Sequence, residues 1–222
     1  EPTVPKKPVL SSPLKAAYTN DNTPALSWNA VDYGVDYHVQ VSKSSKFSLL
    51  VPNAVDEEGI SVLNHTTTML EDGIYYWRVQ ARNINGVYGP WCSARSFTVD
   101  TVSPDSPILV SPFTNTTKVG TPTFIWKASA GASKYQFAYN TNGLTTAFSY
   151  TSDVLSVLSF RPPTMAPKTQ YYWFVRAQDK AGNWSNWSSP FLVYVEPTIP
   201  IKVSLVSPAS GIKTSSTTLT LA

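Results

Sequence analysis

Trp184 and Trp187 stand three residues apart, each followed by serine, in the run Trp184-Ser185-Asn186-Trp187-Ser188. An indole face carries a negative quadrupole. Such a pair can hold a guanidinium between its rings or stack on the apolar face of a sugar. Alternation along the preceding strand brings one cation to the same side, Arg176, next to Phe174 and Tyr172. Half of the pattern recurs earlier as Tyr88-Gly89-Pro90-Trp91-Cys92-Ser93, with Arg78 and Arg82 outward. The candidate surface is therefore Trp184, Trp187, Arg176, Phe174, Trp91 and Arg78. It reads either as a cation–aromatic ladder closing a sheet edge or as a docking patch for a glycan or a protein. Tyr18, Tyr33, Tyr88, Phe148 and Tyr150 are further rings expected near solvent.

Other chemistry is sparse. His38 and His65 belong to different strands of one repeat, and no His, Cys or carboxylate spacing matches a zinc or calcium site. Asp56-Glu57-Glu58-Gly59 reads as a solvated turn. No phosphate-cradling glycine loop, nucleophile elbow or acid–base carboxylate pair is present, so no catalytic residue, metal or cofactor is expected and the chain is not read as an enzyme. Cys92 is the single cysteine; it cannot form an internal disulfide and is expected to be a small buried hydrophobe. Asn64, Asn115, Asn183 and Asn186 each open an Asn-x-Ser/Thr glycosylation pattern. The net charge of +3 is too small to argue for nucleic acid. No apolar run approaches the ~20 residues of a membrane helix, so no membrane insertion is expected in this segment.

The elements that carry these residues come in copies. Thr23-Pro24-Ala25-Leu26-Ser27-Trp28 returns 98 residues on as Thr121-Pro122-Thr123-Phe124-Ile125-Trp126. Tyr75-Tyr76-Trp77-Arg78-Val79 returns 96 residues on as Tyr171-Tyr172-Trp173-Phe174-Val175. Within each copy the apolar period is two, as in a half-buried strand, and Asp72-Gly73, Asn85-Gly86 and Asn142-Gly143 mark turns. Seven strands are predicted in the first copy, roughly 8–12, 24–30, 36–42, 46–51, 61–70, 74–82 and 93–99, mirrored from about 107 to 195. The fold class is all-β: tandem seven-stranded antiparallel β-sandwiches, beads on a string. Leu26, Trp28, Tyr37, Val39, Val41, Tyr75, Trp77, Val79, Phe97 and Val99 should fill the first core. Phe124, Trp126, Tyr135, Phe137, Tyr171, Trp173, Val175, Phe191, Val193 and Val195 should fill the second.

The expected domains are 1–101, 102–196 and an incomplete third copy over 197–222, since Glu1-Pro2-Thr3-Val4-Pro5 recurs as Glu196-Pro197-Thr198-Ile199-Pro200. The chain is thus read as a slice of a longer array, without a signal peptide at Glu1. In the alternative reading, Val203, Leu205, Leu219 and Leu221 are assembly strands given to a neighbouring chain. The linkers 100–107 and 196–200 are short and stiffened by proline, which favours extended geometry.

The Trp of the second strand, the Tyr-x-Trp-x-Val-x-Ala strand and the Gly-Asn turn before Trp-Ser resemble fibronectin type III domains of the immunoglobulin-like class. Most closely they resemble the bacterial variety, over about residues 8–99 and 107–195. Trp184 to Ser188 is also similar to the motif of class I cytokine receptors. That family carries paired cysteines in its first domain, and one cysteine in total argues against a receptor. The resemblance implies a non-enzymatic extracellular or cell-surface array: a stalk, spacer, adhesion or filament-building module. Its expected partners are other domains of the same chain, further copies through residues 197–222, or a surface glycan or protein.

Overall fold

The computed structural model describes residues 3–48 and 56–198. Val203, Leu205, Leu219 and Leu221 lie outside them, as does half of the strand expected at 46–51. Among the described residues there is no helix.

The first sandwich packs two sheets. The smaller holds β1 (Leu10–Ser12), β3 (Ala25–Trp28) and β6 (Asn64–Thr66), in the order β1-β3-β6. The larger runs β2-β8-β7-β4-β5, from β2 (Ala17–Thr19), β8 (Arg95–Val99), β7 (Gly73–Arg82), β4 (Asp36–Ser42) and β5 (Asp56–Ile60). The second sandwich repeats the plan. Its smaller sheet is β9 (Leu109–Ser111), β11 (Phe124–Trp126) and β14 (Ser159–Phe160). Its larger sheet runs β10-β16-β15-β12-β13, from β10 (Thr116–Val119), β16 (Phe191–Glu196), β15 (Thr169–Gln178), β12 (Lys134–Asn140) and β13 (Tyr150–Thr151).

Two features depart from the seven-strand expectation. The opening strand of each sandwich is divided at a proline, Pro13 or Pro112, which has no N–H for a ladder and follows a cis peptide bond. Its second half crosses to the other sheet and pairs parallel with the last strand, Tyr18 with Thr98 and Thr117 with Tyr194. The acidic run at 56–59 is not a solvated turn but the edge strand β5, paired with β4.

Alternation decides the packing. Along β7 the burial pattern strictly alternates from Tyr75 to Arg82, sending Tyr75, Trp77, Val79 and Ala81 inward. The expected core residues of both copies are buried, save Phe191, which is partly buried against its core. The second core is the more aromatic: Phe124 packs on Phe137 and Trp173 with ring centres 4.7 and 5.0 Å apart. Cys92 belongs to the first core.

Candidate functional site

The segment 184–188 follows from what β15 lacks. Strand β16 pairs with β15 only from Thr169 to Trp173. Beyond Trp173 the backbone of β15 needs other partners on that side, because a buried N–H without one is costly. Ser188 provides them for Val175: its backbone N–H donates to Val175 O at 2.9 Å, and its Oγ accepts from Val175 N at 3.1 Å. Ser185 does the same for Ala177, at 2.8 and 2.9 Å. The segment advances three residues while β15 advances two, so its own carbonyls fall out of register and hydroxyls stand in for them. The residue before each serine is the one left to project outward, and there the indoles stand.

Between them lies Arg176. Its guanidinium sits 4.3 Å from the Trp184 ring centre and 4.7 Å from that of Trp187. Nε and Nη2 both donate to Gln136 Oε1 on β12, at 3.0 and 2.6 Å. Burial lowers the pKa of Arg176. Phe148 extends the stack, 4.6 Å from Trp187 and 5.4 Å from Phe174. Phe174 is not a surface residue: it is fully buried on the outer face of β15, because Phe148 covers it.

The first sandwich builds the same device from different residues. Arg78 is held 4.1 Å from Phe47 and 4.3 Å from Trp91 and donates from Nε and Nη2 to Gln40 Oε1. Cys92 occupies the place of Ser188: its N–H donates to Val79 O, and its sulfur accepts from Val79 N at 3.2 Å. Burial pushes the thiol pKa up, which opposes thiolate chemistry. Gly89 occupies the place of Ser185, because a Cβ there would lie 2.3 Å from Pro5 O.

This ladder continues where the second does not. His38 lies on the outer face of β4, but it is buried under Trp91 at 4.8 Å and Tyr88 at 6.0 Å. Its Nε2 meets Asp56 Oδ1 at 2.5 Å, and Nδ1 lies 3.1 Å from Gln80 Nε2. Desolvation raises the Asp56 pKa, but hydrogen bonds from Gln40 and His38 and the charges of His38 and Arg78 outweigh it and hold the carboxyl below its ordinary value. Glu57 faces the other histidine, His65, at 3.5 Å. Among the described residues no group of His, Cys, Asp or Glu could hold a metal ion.

A second constellation joins the sandwiches. Asn183, one of the four glycosylation-pattern asparagines, is buried. Its Nδ2 donates to Asp100 O, in the linker, at 2.7 Å and to Asp179 Oδ2 at 2.8 Å. Asp72 on the first sandwich accepts from Thr101 N and Oγ1 at 3.0 and 2.9 Å. Lys180 reaches across to the Tyr18 ring, 5.6 Å from its centre. Sequence patterning pointed to the ladders through their aromatic spacing. It missed the joint, whose only signal was the ordinary turn Ala181-Gly182-Asn183.

No protein-family model matches the chain, and no curated protein sequence does. Solved structures match by shape. The fibronectin(III)-like modules of CbhA from Clostridium thermocellum superpose with a TM-score of 0.58 at 12% identity, covering 86% of this chain and 94% of that one. Chicken CNTN1 domains FN1–FN3 align with a TM-score of 0.49 at 16% identity, covering 88% of this chain and 69% of theirs. By shape the chain is a tandem of fibronectin type III-like β-sandwiches.

Proposed function

We propose that the chain is a non-enzymatic spacer of an extracellular or cell-surface protein, holding what lies on either side of it at a set distance and angle. The joint carries this reading. The linker is bonded from both sides, by Asp72 at Thr101 and by Asn183 at Asp100, and Lys180 spans the gap to Tyr18. A joint serving only as a tether would have no use for these contacts. The ladders support the same reading. Their guanidiniums lie against the indole rings and act as braces that tie the segments 88–92 and 184–188 to their sheets.

Backbone ¹⁵N relaxation on the whole chain tests the proposal. The two sandwiches should share one rotational diffusion tensor. The pair Asp72→Ala and Asn183→Ala should let them tumble separately while both remain folded. Independent tumbling in the unsubstituted chain would overturn the proposal.

A further inference from the structure

The two sandwiches close the same edge with opposite chemistry. In the first, a groove of about 400 Å³ opens between residues 7–15 and residues 92–95. Lys7, Lys15 and Arg95 stand around it, and its other lining residues are uncharged, so three cations share it without a carboxylate. Lys6, beside Lys7 in sequence, pairs with Asp32, but among the described residues Lys7, Lys15 and Arg95 have no ion pair. Arg95 is held in place: its Nη1 donates to Ser11 O at 3.1 Å and to Pro13 O at 3.4 Å, while Nε and Nη2 meet no acceptor among the described residues. A concavity lined by one sign of charge focuses the field and draws counter-ions.

The fold does not require this arrangement. By repeat alignment Ser106, Thr114 and Phe191 answer to Lys7, Lys15 and Arg95. Arg95 stands opposite Trp77 in the strand pairing, and Phe191 opposite Trp173. Lys15 and Thr114 each precede a residue of positive φ, Ala16 and Asn115. In the second sandwich Phe113 stacks on Phe191 with ring centres 5.6 Å apart, and Thr114 Oγ1 accepts from Leu192 N at 3.4 Å. That edge is closed by packing and carries no charge at these three places. Like charges gathered at one groove repel one another, so neither strand pairing nor core packing accounts for the three cations of the first sandwich.

We propose that this groove binds a sulfate or phosphate ester on a sugar-sized unit. The lysines are compact, strongly hydrated point charges, and the fork of Arg95 is partly engaged by the backbone. Such a set suits a tetrahedral oxyanion, whose oxygens can be shared among three donors. A planar carboxylate calls instead for a guanidinium fork with both arms open to it. The volume lies in the range of small-ligand pockets and exceeds what a bare ion fills, and Pro8, Val9 and Ala94 offer the body of the ester an apolar wall.

Proton–¹⁵N correlation spectra of the whole chain test this, titrated with glucose 6-sulfate, glucose 6-phosphate and plain glucose. An ester should shift the amides of residues 93–95 and the Nε–H of Arg95 to saturation, with a Kd on the order of 1–10 mM for a single ester at an open groove. The tighter of the two esters identifies the source of the oxyanion, and glucose should shift none of these signals. Lys7→Gln and Lys15→Gln, both at exposed positions, should each weaken binding about two- to fivefold, and together about tenfold, with unchanged melting temperatures. Lys46→Gln, at an exposed lysine outside the groove, should leave the Kd where it was. An absence of saturation at about 100 mM of either ester overturns the proposal. So does binding indifferent to the double Lys7 and Lys15 substitution, a response to glucose as large as to the esters, or an equal response at the amides of Ser106 and Thr114. None of these results touches the spacer reading, which stands on the joint.

Discussion

Replacing Ser188 by alanine isolates one hydrogen bond and tests the account of the Trp-Ser repeats. Ser188 is buried, and its hydroxyl is the acceptor for the N–H of Val175, a residue with no exposure. The substitution removes a single oxygen, so the void is negligible. What remains is a desolvated N–H without a partner, at about 1–3 kcal/mol. Taking about 2 kcal/mol, the second sandwich should melt roughly 8–16 °C lower, since a domain of this size shifts by about 4–8 °C per kcal/mol. Ser188→Cys should recover part of the loss, because Cys92 already plays this role at 3.2 Å from Val79 N. Calorimetry of the whole chain reads the effect as a downward move of one transition while that of the first sandwich stays in place. Amide exchange at Val175 should quicken by about 30-fold, the same energy read as a rate. A melting change below about 2 °C with unchanged exchange at Val175 would refute the reasoning. The serines would then be only small residues that fit beside indoles.

Two other outcomes are expected. Arg176→Lys keeps the charge but loses the planar stack between Trp184 and Trp187 and the paired donation to Gln136; at about 0.5–1 kcal/mol per ring, the urea midpoint of the second sandwich should fall by the equivalent of about 1–2 kcal/mol. An unchanged midpoint would show that the ladder contributes nothing net. Asp56 has a folded-state pKa below its ordinary value, so it contributes stability above the unfolded carboxylate pKa of about 3.9, and that contribution is lost as pH falls through the folded value. The stability gap between the unsubstituted chain and Asp56→Asn should therefore close as pH falls below about 4; a gap unchanged between pH 5 and 3 would contradict the assignment.

The parts of this molecule that sequence discloses are those where one residue type answers one geometric demand. Tyr75, Trp77, Val79 and Ala81 alternate because β7 is covered on its inner face, so fold and core could be read from period alone. The ladder was legible as to Trp184, Trp187 and Arg176, since rings flanking a cation have a fixed spacing. Phe174 misled because period two places it outward, and it took Phe148, 26 residues earlier, to bury it. The strand β5 was hidden for the opposite reason. Asp56, Glu57 and Glu58 carry a turn's composition, and it is their backbone pairing with β4 that makes a strand of them, while their carboxylates meet His38 and His65. A carboxylate's partner lies in the third dimension and leaves no periodic trace.

The two copies of the fold grip the chain upstream of them in different ways. Each turn that grips its upstream linker must hold itself together and also supply a donor. In the first sandwich Asn83 does both: Oδ1 accepts from Asn85 N and Val87 N, and Nδ2 donates to Thr3 O. In the second the tasks are separated. Asp179 accepts from Gly182 N and Asn183 N but has no proton to give, so Asn183 donates to the linker at Asp100 O. Moving the donor four residues along the turn moves the gripped carbonyl as well. By repeat alignment Thr3 answers to Val102, two residues beyond Asp100, so the first turn holds its linker closer to its own domain than the second does. Which turn residue carries the amide therefore decides which upstream backbone carbonyl is held.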